Sequence, residues 1–421
     1  MEAKRKVAFH TLGCKLNQAE SELLARRFAK SEYCIVDGDR ADICILNTCT
    51  VTHIADRKSR HLMRLLRKRN PEALIIATGC YAERAPQELA QIGADLVIGN
   101  EQKMHLLELV ENKVTYSPYR STEQFAVEGI NRVRSFIKIQ DGCNDFCAYC
   151  IVPKVRGREY CLPVAEIVSE AKAMVNAGYK EVVLTGTKIG AYKHNGANLR
   201  HLVKQILVDT DVERLHLSSL QPQDTYPEFL SLWQDPRLSR HFHLALQSGS
   251  DAVLKRMRRH YSVADYQKAA FLIRQAVPDV SITTDVMVGF PGESDEEFEQ
   301  SYRFCREMGF VNIHVFPYSS RPGTLAAKMS EQVDNRLKKD RSLRMLGLAQ
   351  ESAYKFRERF LGQNTMVLWE KEMTPGSRLY SGLSDNYIRV FTESQKPLTN
   401  QLLPVRLVRL HKRGLWGEVV K

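Results

Sequence analysis

Gln140-Asp-Gly-Cys-Asn-Asp-Phe-Cys-Ala-Tyr-Cys150 is the stretch whose reading decides the architecture. It sets Cys143, Cys147 and Cys150 in a CxxxCxxC spacing. Cysteine thiolates are the usual ligands of iron–sulfur clusters, and tight spacing lets one loop wrap a face of a cubane. Three thiolates for four irons leave one iron open to a small molecule, as catalytic zinc keeps an open position. A structural zinc would want a fourth ligand close by. The next thiol, Cys161, lies beyond the basic segment Lys154–Arg158, and the next histidine is His194. The loop is polar and contains glycine, unlike a set of core cysteines. An apolar run, Phe136–Gln140, leads directly into it, so the motif reads as the end of a strand.

Outward from that loop, residues 132–335 alternate short apolar runs with longer amphipathic segments. Strands are expected at Phe136–Gln140, Glu181–Thr185, Arg214–Leu217, His243–Gln247, Ser281–Val288 and Asn312–Pro317. Six strands are too few for an eightfold barrel, so a partial, open (β/α)6 barrel is expected. The charged helix Asn335–Leu361 follows it, closing a unit over 132–361. Upstream, Lys6–His10, Ile43–Asn47, Leu74–Thr78 and Leu96–Ile98 alternate with helical segments, which predicts a parallel-sheet α/β domain over 1–112. Residues 113–131 are polar and irregular, and a linker is expected there. Residues 362–421 carry four short strand candidates between turns, Thr365–Trp369, Tyr387–Phe391, Pro404–Leu410 and Trp416–Val420, and predict an OB-like β-barrel. The class is α/β.

The chain has 421 residues and a net charge of +12. Such a balance suits a polyanionic partner such as nucleic acid, although a generally basic protein would look the same. No apolar run approaches bilayer-spanning length. The basic N-terminus lacks the apolar stretch of a secretory signal, so a cytoplasmic location without a membrane partner is expected. In that reducing compartment the ten cysteines serve packing or metal binding rather than disulfides.

Cys14, Cys49 and Cys80 lie far apart in sequence, yet each follows an expected strand: Thr11-Leu-Gly-Cys14, Asn47-Thr-Cys49 and Thr78-Gly-Cys80. Strand ends of a parallel sheet share one edge, where ligands bind, so the three thiols could converge. Spacing alone favours a shared metal site but also admits three core cysteines. Cys34 and Cys44 are read as core residues. From residue 362 onward nine Lys/Arg face five Asp/Glu. Arg406, Arg409, Lys412 and Arg413 cluster near Trp416, a pattern suited to phosphates and bases or to a solvated strand edge guarded by charge.

TLGCKLNQAESE, LNTCTVT, TGCYAE, QDGCNDFCAYCIVPKVRGRE, LTGTKIGAY, HLALQSGSDAVLKRMRR and TDVMVGFPGESDEEF, in this order along essentially the whole chain, resemble the radical-SAM methylthiotransferases. The resemblance implies two 4Fe–4S clusters, one on Cys143, Cys147 and Cys150 and one on Cys14, Cys49 and Cys80. It also implies S-adenosylmethionine (SAM) on the open iron of the first cluster, cleaved there to a 5′-deoxyadenosyl radical. Sulfur at the second cluster takes a methyl group from another SAM and is transferred to C2 of an adenine. The C-terminal region resembles the TRAM domain, which implies RNA binding through Arg406, Arg409, Lys412 and Arg413.

The same resemblance puts Gly186 near the methionine end of SAM; Ser218, Ser219, Gln247 and Ser248 end strands that face the barrel mouth, and Gly289 and Gly292 would let backbone approach the adenine or ribose, although turn chemistry alone also places Gly and Ser there. Asp295, Glu296 and Glu297 after Ser294 read as a capped helix start rather than as catalytic carboxylates. TLGCKLNQAES and LSSLQPQD resemble the branch acting on N6-threonylcarbamoyladenosine beside the tRNA anticodon, giving the 2-methylthio derivative at position 37. Lys188, Lys193 and Gln223 depart from the pattern, and Lys188, Lys193 and Arg156 are candidate partners for the substrate carboxylate. The implied partners are the tRNA anticodon stem-loop, an electron donor such as flavodoxin or ferredoxin, and a sulfur donor. The alternatives are the isopentenyladenosine branch, the branch modifying a ribosomal-protein aspartate and, from another class, a non-catalytic RNA-binding metalloprotein.

Overall fold

The computed structural model describes residues 5–31, 33–37, 41–113 and 133–420. From residue 114 the expected linker lies outside them. At the N-terminal end, β1 (Lys6–Thr11), β2 (Cys34–Ile35), β3 (Ile43–Thr48), β4 (Leu74–Gly79) and β5 (Leu96–Ile98) form a parallel sheet in the order β2-β1-β3-β4-β5. Every residue of β3 is buried, as expected of a strand covered on both faces. Ile43 and Ile45 pack with Leu24 and Phe28 of the helix Lys15–Lys30. Cys44 and Leu46 point the other way, onto Met63 and Leu66 of the helix His53–Arg69. β2 was not expected. It is a two-residue edge strand paired only with β1, which leaves Cys34 exposed rather than in the core.

The second unit is an open barrel of parallel strands. Arg134–Lys138, Glu181–Thr185 and Arg214–Leu217 pair in one sheet, and Ser219–Leu220, His241–Leu244, Ser281–Val288 and Asn312–Pro317 in the next. One run of chain, Arg214 to Leu220, joins the two halves through Ser218. The fourth strand starts and stops earlier than the expected His243–Gln247. The backbone of Gln247 turns to φ 70° and keeps only an isolated bridge to Val286. Among the described residues no pairing joins the first and last strands. The helix Lys15–Lys30 lies against the first two strands, with Ala19 packed on Phe136 and Val183 and Arg26 paired with Glu170 at 2.5 Å.

Ser294 caps the helix Asp295–Met308 in a reciprocal box with Glu297. The helix Asn335–Glu358 packs back on the barrel through Met345, Leu348 and Ala349. Its buried Arg341 reaches Glu293 and Asp295, each at 2.7 Å.

Asn364–Glu372, Leu379–Ser384, Arg389–Glu393, Leu402–His411 and Gly414–Val419 close a five-stranded barrel. The second of these strands was not expected, because its small and polar residues hide the alternation. Gly382 is required there, since a Cβ would meet the Leu368 carbonyl oxygen at 2.5 Å. This small barrel seals the strand-start end of the larger one. Arg214 donates to the carbonyls of Leu383 (3.0 Å) and Met366 (3.2 Å), and the Tyr387 ring stacks on His216 and His241. No described helix is long and apolar enough to cross a membrane.

Candidate active site

The ends of β1, β3 and β4 bring Cys14, Cys49 and Cys80 to one edge of the N-terminal sheet. The trio is close enough that Cys14 and Cys80 both bear on Cys49, whose thiol burial pushes up to about 12. Cys14 is solvent-accessible, yet burial still raises its thiol, the setting of a group lining a hollow. Backbone N–H groups of Asn17 and Val51 donate to the sulfurs of Cys14 and Cys49. Two glycines make the convergence possible. At Gly13 (φ 104°) a Cβ would sit 2.7 Å from Cys49 Cβ, and at Gly79 (φ 94°) one would sit 2.5 Å from the Thr48 carbonyl oxygen.

The CxxxCxxC loop makes the second trio. Gly142 (φ 68°) lets the loop turn under the Arg158 carbonyl, where a Cβ would approach to 2.0 Å. The Asp145 N–H donates to Cys143 Sγ at 3.4 Å, and Arg259 donates to Cys147 Sγ at 3.2 Å. Burial pushes the Cys150 thiol up to about 12, with Cys147 and Cys143 adding to the rise. Among the described residues no three His, Cys, Asp or Glu side chains are set to hold a single metal ion. A cubane takes each thiolate on a different iron, so it can be held by thiols too spread for one ion. N–H donors on sulfur and a cation beside each trio also fit anionic thiolates around a cluster.

A buried polar network joins the two trios. Arg156, just beyond the CxxxCxxC loop, donates to Asp141 (2.9 and 3.0 Å), to Glu20 (3.1 Å) and to Asn17 Oδ1. Lys103 reaches Glu20 at 2.6 Å, and Lys138 lies 3.3 Å from Glu20 and 3.4 Å from Asp141. Arg156 also bears electrostatically on Cys14 and Cys80. It was read as a partner for substrate carboxylate, and the structure commits it here instead. Lys188 is likewise taken, by Asp145 at 2.8 Å, and Lys193 is exposed on the surface.

Of the residues expected near SAM, Gly186 lies directly against the strand end that leads into Cys143. A Cβ there would come within 2.7 Å of the Gln140 carbonyl oxygen. Ser218 Oγ is buried without a partner. Gly289 donates its N–H to Glu293 at 2.6 Å, and Gly292 donates to the Glu331 carbonyl at 2.7 Å. Both N–H groups are thus already taken, one within the turn and one by the segment around Glu331.

The Radical SAM superfamily matches residues 137–305, and the Uncharacterized protein family UPF0004 matches residues 6–99. The threonylcarbamoyladenosine tRNA methylthiotransferase MtaB of Bacillus subtilis (strain 168) is 34% identical, over 99% of this chain and 97% of its own. That of Aquifex aeolicus is 38% identical over 93% and 97%. The chain belongs to the radical-SAM methylthiotransferase family. A relative from Thermodesulfovibrio yellowstonii, named tRNA-2-methylthio-N(6)-dimethylallyladenosine synthase, is 30% identical over 99% of both chains. Among solved structures, the radical SAM methyltransferase TsrM of Kitasatospora setae shares the fold, with a TM-score of 0.55 at 16% identity over 74% of this chain and 73% of its own.

This methylthiotransferase is thus a radical-SAM enzyme that uses SAM and 4Fe–4S clusters. Its C-terminal barrel leaves Arg406, Arg409, Lys412 and Arg413 exposed, and the Arg409 guanidinium lies 4.6 Å from the Trp416 ring centre. Sequence reasoning missed Asn17, Glu20, Lys103 and Arg259. The first two sit in the LNQAE run after Cys14, where polar residues inside an apolar helical face signal a buried network.

Proposed function

We propose that this enzyme adds a methylthio group to C2 of N6-threonylcarbamoyladenosine at position 37 of tRNA. In this reading Cys143, Cys147 and Cys150 hold the SAM-binding cluster in a unit spanning 132–361. Cys14, Cys49 and Cys80 hold the second cluster in a unit spanning 1–112. Residues 362–421 grip the anticodon stem-loop through Arg406, Arg409, Lys412 and Arg413. The observation that carries the reading is the pair of cysteine trios tied to one buried network through Arg156, Glu20 and Asp141, so that both can serve one substrate. The names of the Bacillus and Aquifex relatives favour the threonylcarbamoyl substrate.

When bound, SAM and the clusters supply the radical and the methylated sulfur, with electrons and sulfur from separate donors such as a flavodoxin or ferredoxin and a sulfur carrier. The chain's own residues hold and tune them. Arg259 places positive charge on Cys147, and Asn17 ties the turn of Cys14 to that of Cys49 by donating to the carbonyls of Leu12 (2.8 Å) and Thr48 (3.0 Å). In this reading Gly186, Ser218, Gln247 and Gly289, each at or just beyond a barrel strand's end, are the residues set around SAM.

The test offers anaerobically reconstituted enzyme tRNA carrying either threonylcarbamoyl- or isopentenyladenosine. Methylthiolation of the first is expected. Preference for the second would move the enzyme to the other branch, and failure to cleave SAM would leave a non-catalytic RNA-binding protein.

A further inference from the structure

The helix His53–Arg69 starts four residues after Cys49 and carries seven Lys/Arg against a single acid, Asp56. Its inner face is committed to the fold. Met63 and Leu66 pack on the sheet, and Asp56 is buried against Arg321 at 2.7 Å and Arg84 at 3.2 Å. Arg60 reaches Glu88 at 3.3 Å and the Tyr81 hydroxyl at 2.8 Å, and Arg67 reaches Asp95 and the Gly93 carbonyl. The outer face differs. Arg57, His61, Arg64 and Lys68 are exposed and follow one another at steps of four, three and four residues, which sets them in one stripe along the helix. The stripe runs about 16 Å at about 1.5 Å per residue, and exposed Lys58 flanks it. Among the described residues none of Arg57, Lys58, Arg64 and Lys68 has an ion pair.

Like charges four residues apart, as Arg64 and Lys68 are, destabilise a helix, and a merely solvated face intersperses both signs. Val51 and Ile54 add exposed apolar surface between Cys49 and the stripe. Charge of one sign ending in an apolar contact surface suits a polyanion. The stripe's place suits it too. The last barrel strand, Asn312–Pro317, is an edge of the open barrel. Just past its end, Ser319 Oγ accepts from the His53 N–H at 3.0 Å. Just before its start, Val311 packs on the core of the C-terminal barrel. One strand about 20 Å long thus joins the start of the basic helix to the small barrel that carries Arg406, Arg409, Lys412 and Arg413.

We propose that this stripe binds phosphates of the anticodon stem-loop and is a second RNA-gripping surface, on the N-terminal unit. The proposal rests on the tRNA reading above. Held at the small barrel and again at the basic helix, the stem-loop brings its loop to the trio that includes Cys49. An acidic electron donor is the rival occupant. Its electrons are needed at the Cys143, Cys147 and Cys150 trio, whereas this helix springs from the other one, which favours RNA.

The test uses full-length reconstituted enzyme and a synthetic anticodon stem-loop carrying threonylcarbamoyladenosine. The triple variant Arg57→Gln, Arg64→Gln, Lys68→Gln is expected to keep its iron and its RNA-independent SAM cleavage. It should bind the stem-loop about 10- to 100-fold more weakly at physiological salt, with the slope of log affinity against log salt reduced by about two to three. The charge-keeping variant Arg57→Lys, Arg64→Lys, Lys68→Arg should bind as the wild type does. The loss should be equal for a stem-loop carrying isopentenyladenosine, because phosphate contacts do not read the base. Unchanged affinity and salt slope in the Gln variant would overturn the assignment. Unchanged binding with turnover lost on a flavodoxin donor and kept with dithionite would overturn it in favour of the electron donor. Loss of iron along with binding, or weakening confined to one of the two modified bases, would also overturn it. Methylthiolation of the isopentenyl stem-loop alone, with the loss of affinity shared by both, would refute the substrate reading and leave the stripe standing.

Discussion

Arg156→Met removes one of the two cations, with Lys138, through which the N-terminal unit and the barrel share a buried network. The native guanidinium contacts Glu20, Asp141 and Asn17 and is itself buried. Burial alone would raise the Glu20 carboxyl, yet Lys103, Arg156 and Lys138 together hold it well below the ordinary range. Breaking a buried pair by removing one partner costs about 3–5 kcal/mol. Lys103 at 2.6 Å and Lys138 at 3.3 Å stay on Glu20, and Lys138 stays on Asp141, so the lower end, about 3 kcal/mol, is expected.

The cost falls on opening of the helix Lys15–Lys30 from the barrel, which hydrogen exchange reads locally. Amides of that helix should exchange about 100-fold faster in the variant, since each 1.4 kcal/mol is about a factor of ten. Amides of β3, the fully buried central strand of the N-terminal sheet, should change much less. Exchange of the helix within about threefold of wild type would refute the argument that this network ties the two units together.

Gly13→Ala forces a Cβ to 2.7 Å from Cys49 Cβ at a φ of 104°. It should lose about half the iron, taking two cubanes as about eight irons, and keep 5′-deoxyadenosine formation. Iron assay with product chromatography checks this, and full iron content would count against the N-terminal trio. Arg409→Ala removes an exposed cation stacked on Trp416, and in filter binding it should weaken tRNA affinity and reduce the salt slope by about one. Burial holds His216 and His241 well below the ordinary histidine range. The folded protein therefore keeps both neutral while the unfolded chain protonates below about pH 6.5. Unfolding then takes up protons, so stability falls as pH drops below that value, by at most about 1.4 kcal/mol per pH unit for each histidine. Urea midpoints measured from pH 7.5 to 5.5 should show this decline, and the double variant His216→Gln, His241→Gln should flatten it.

The alternation of apolar runs with amphipathic segments was enough to read the parallel sheet and the open barrel, because buried strands such as Ile43–Thr48 are continuous in hydrophobicity. Leu379–Ser384 escaped, since its register depends on close packing of Gly382 rather than on an apolar pattern. The cysteine trios were legible from their place at strand ends. The residues that tune them were not. Arg156 read as a candidate partner for the substrate carboxylate, and only the fold shows Glu20 and Asp141 closing on it from two separate stretches of chain.

The most direct test of the central claim is mass spectrometry of nucleosides from tRNA of cells lacking this protein, with and without the gene restored. Restoration should convert N6-threonylcarbamoyladenosine to its 2-methylthio derivative, and a Cys143→Ala copy should not. Unchanged threonylcarbamoyladenosine, or a methylthio group appearing only on isopentenyladenosine, would contradict the account.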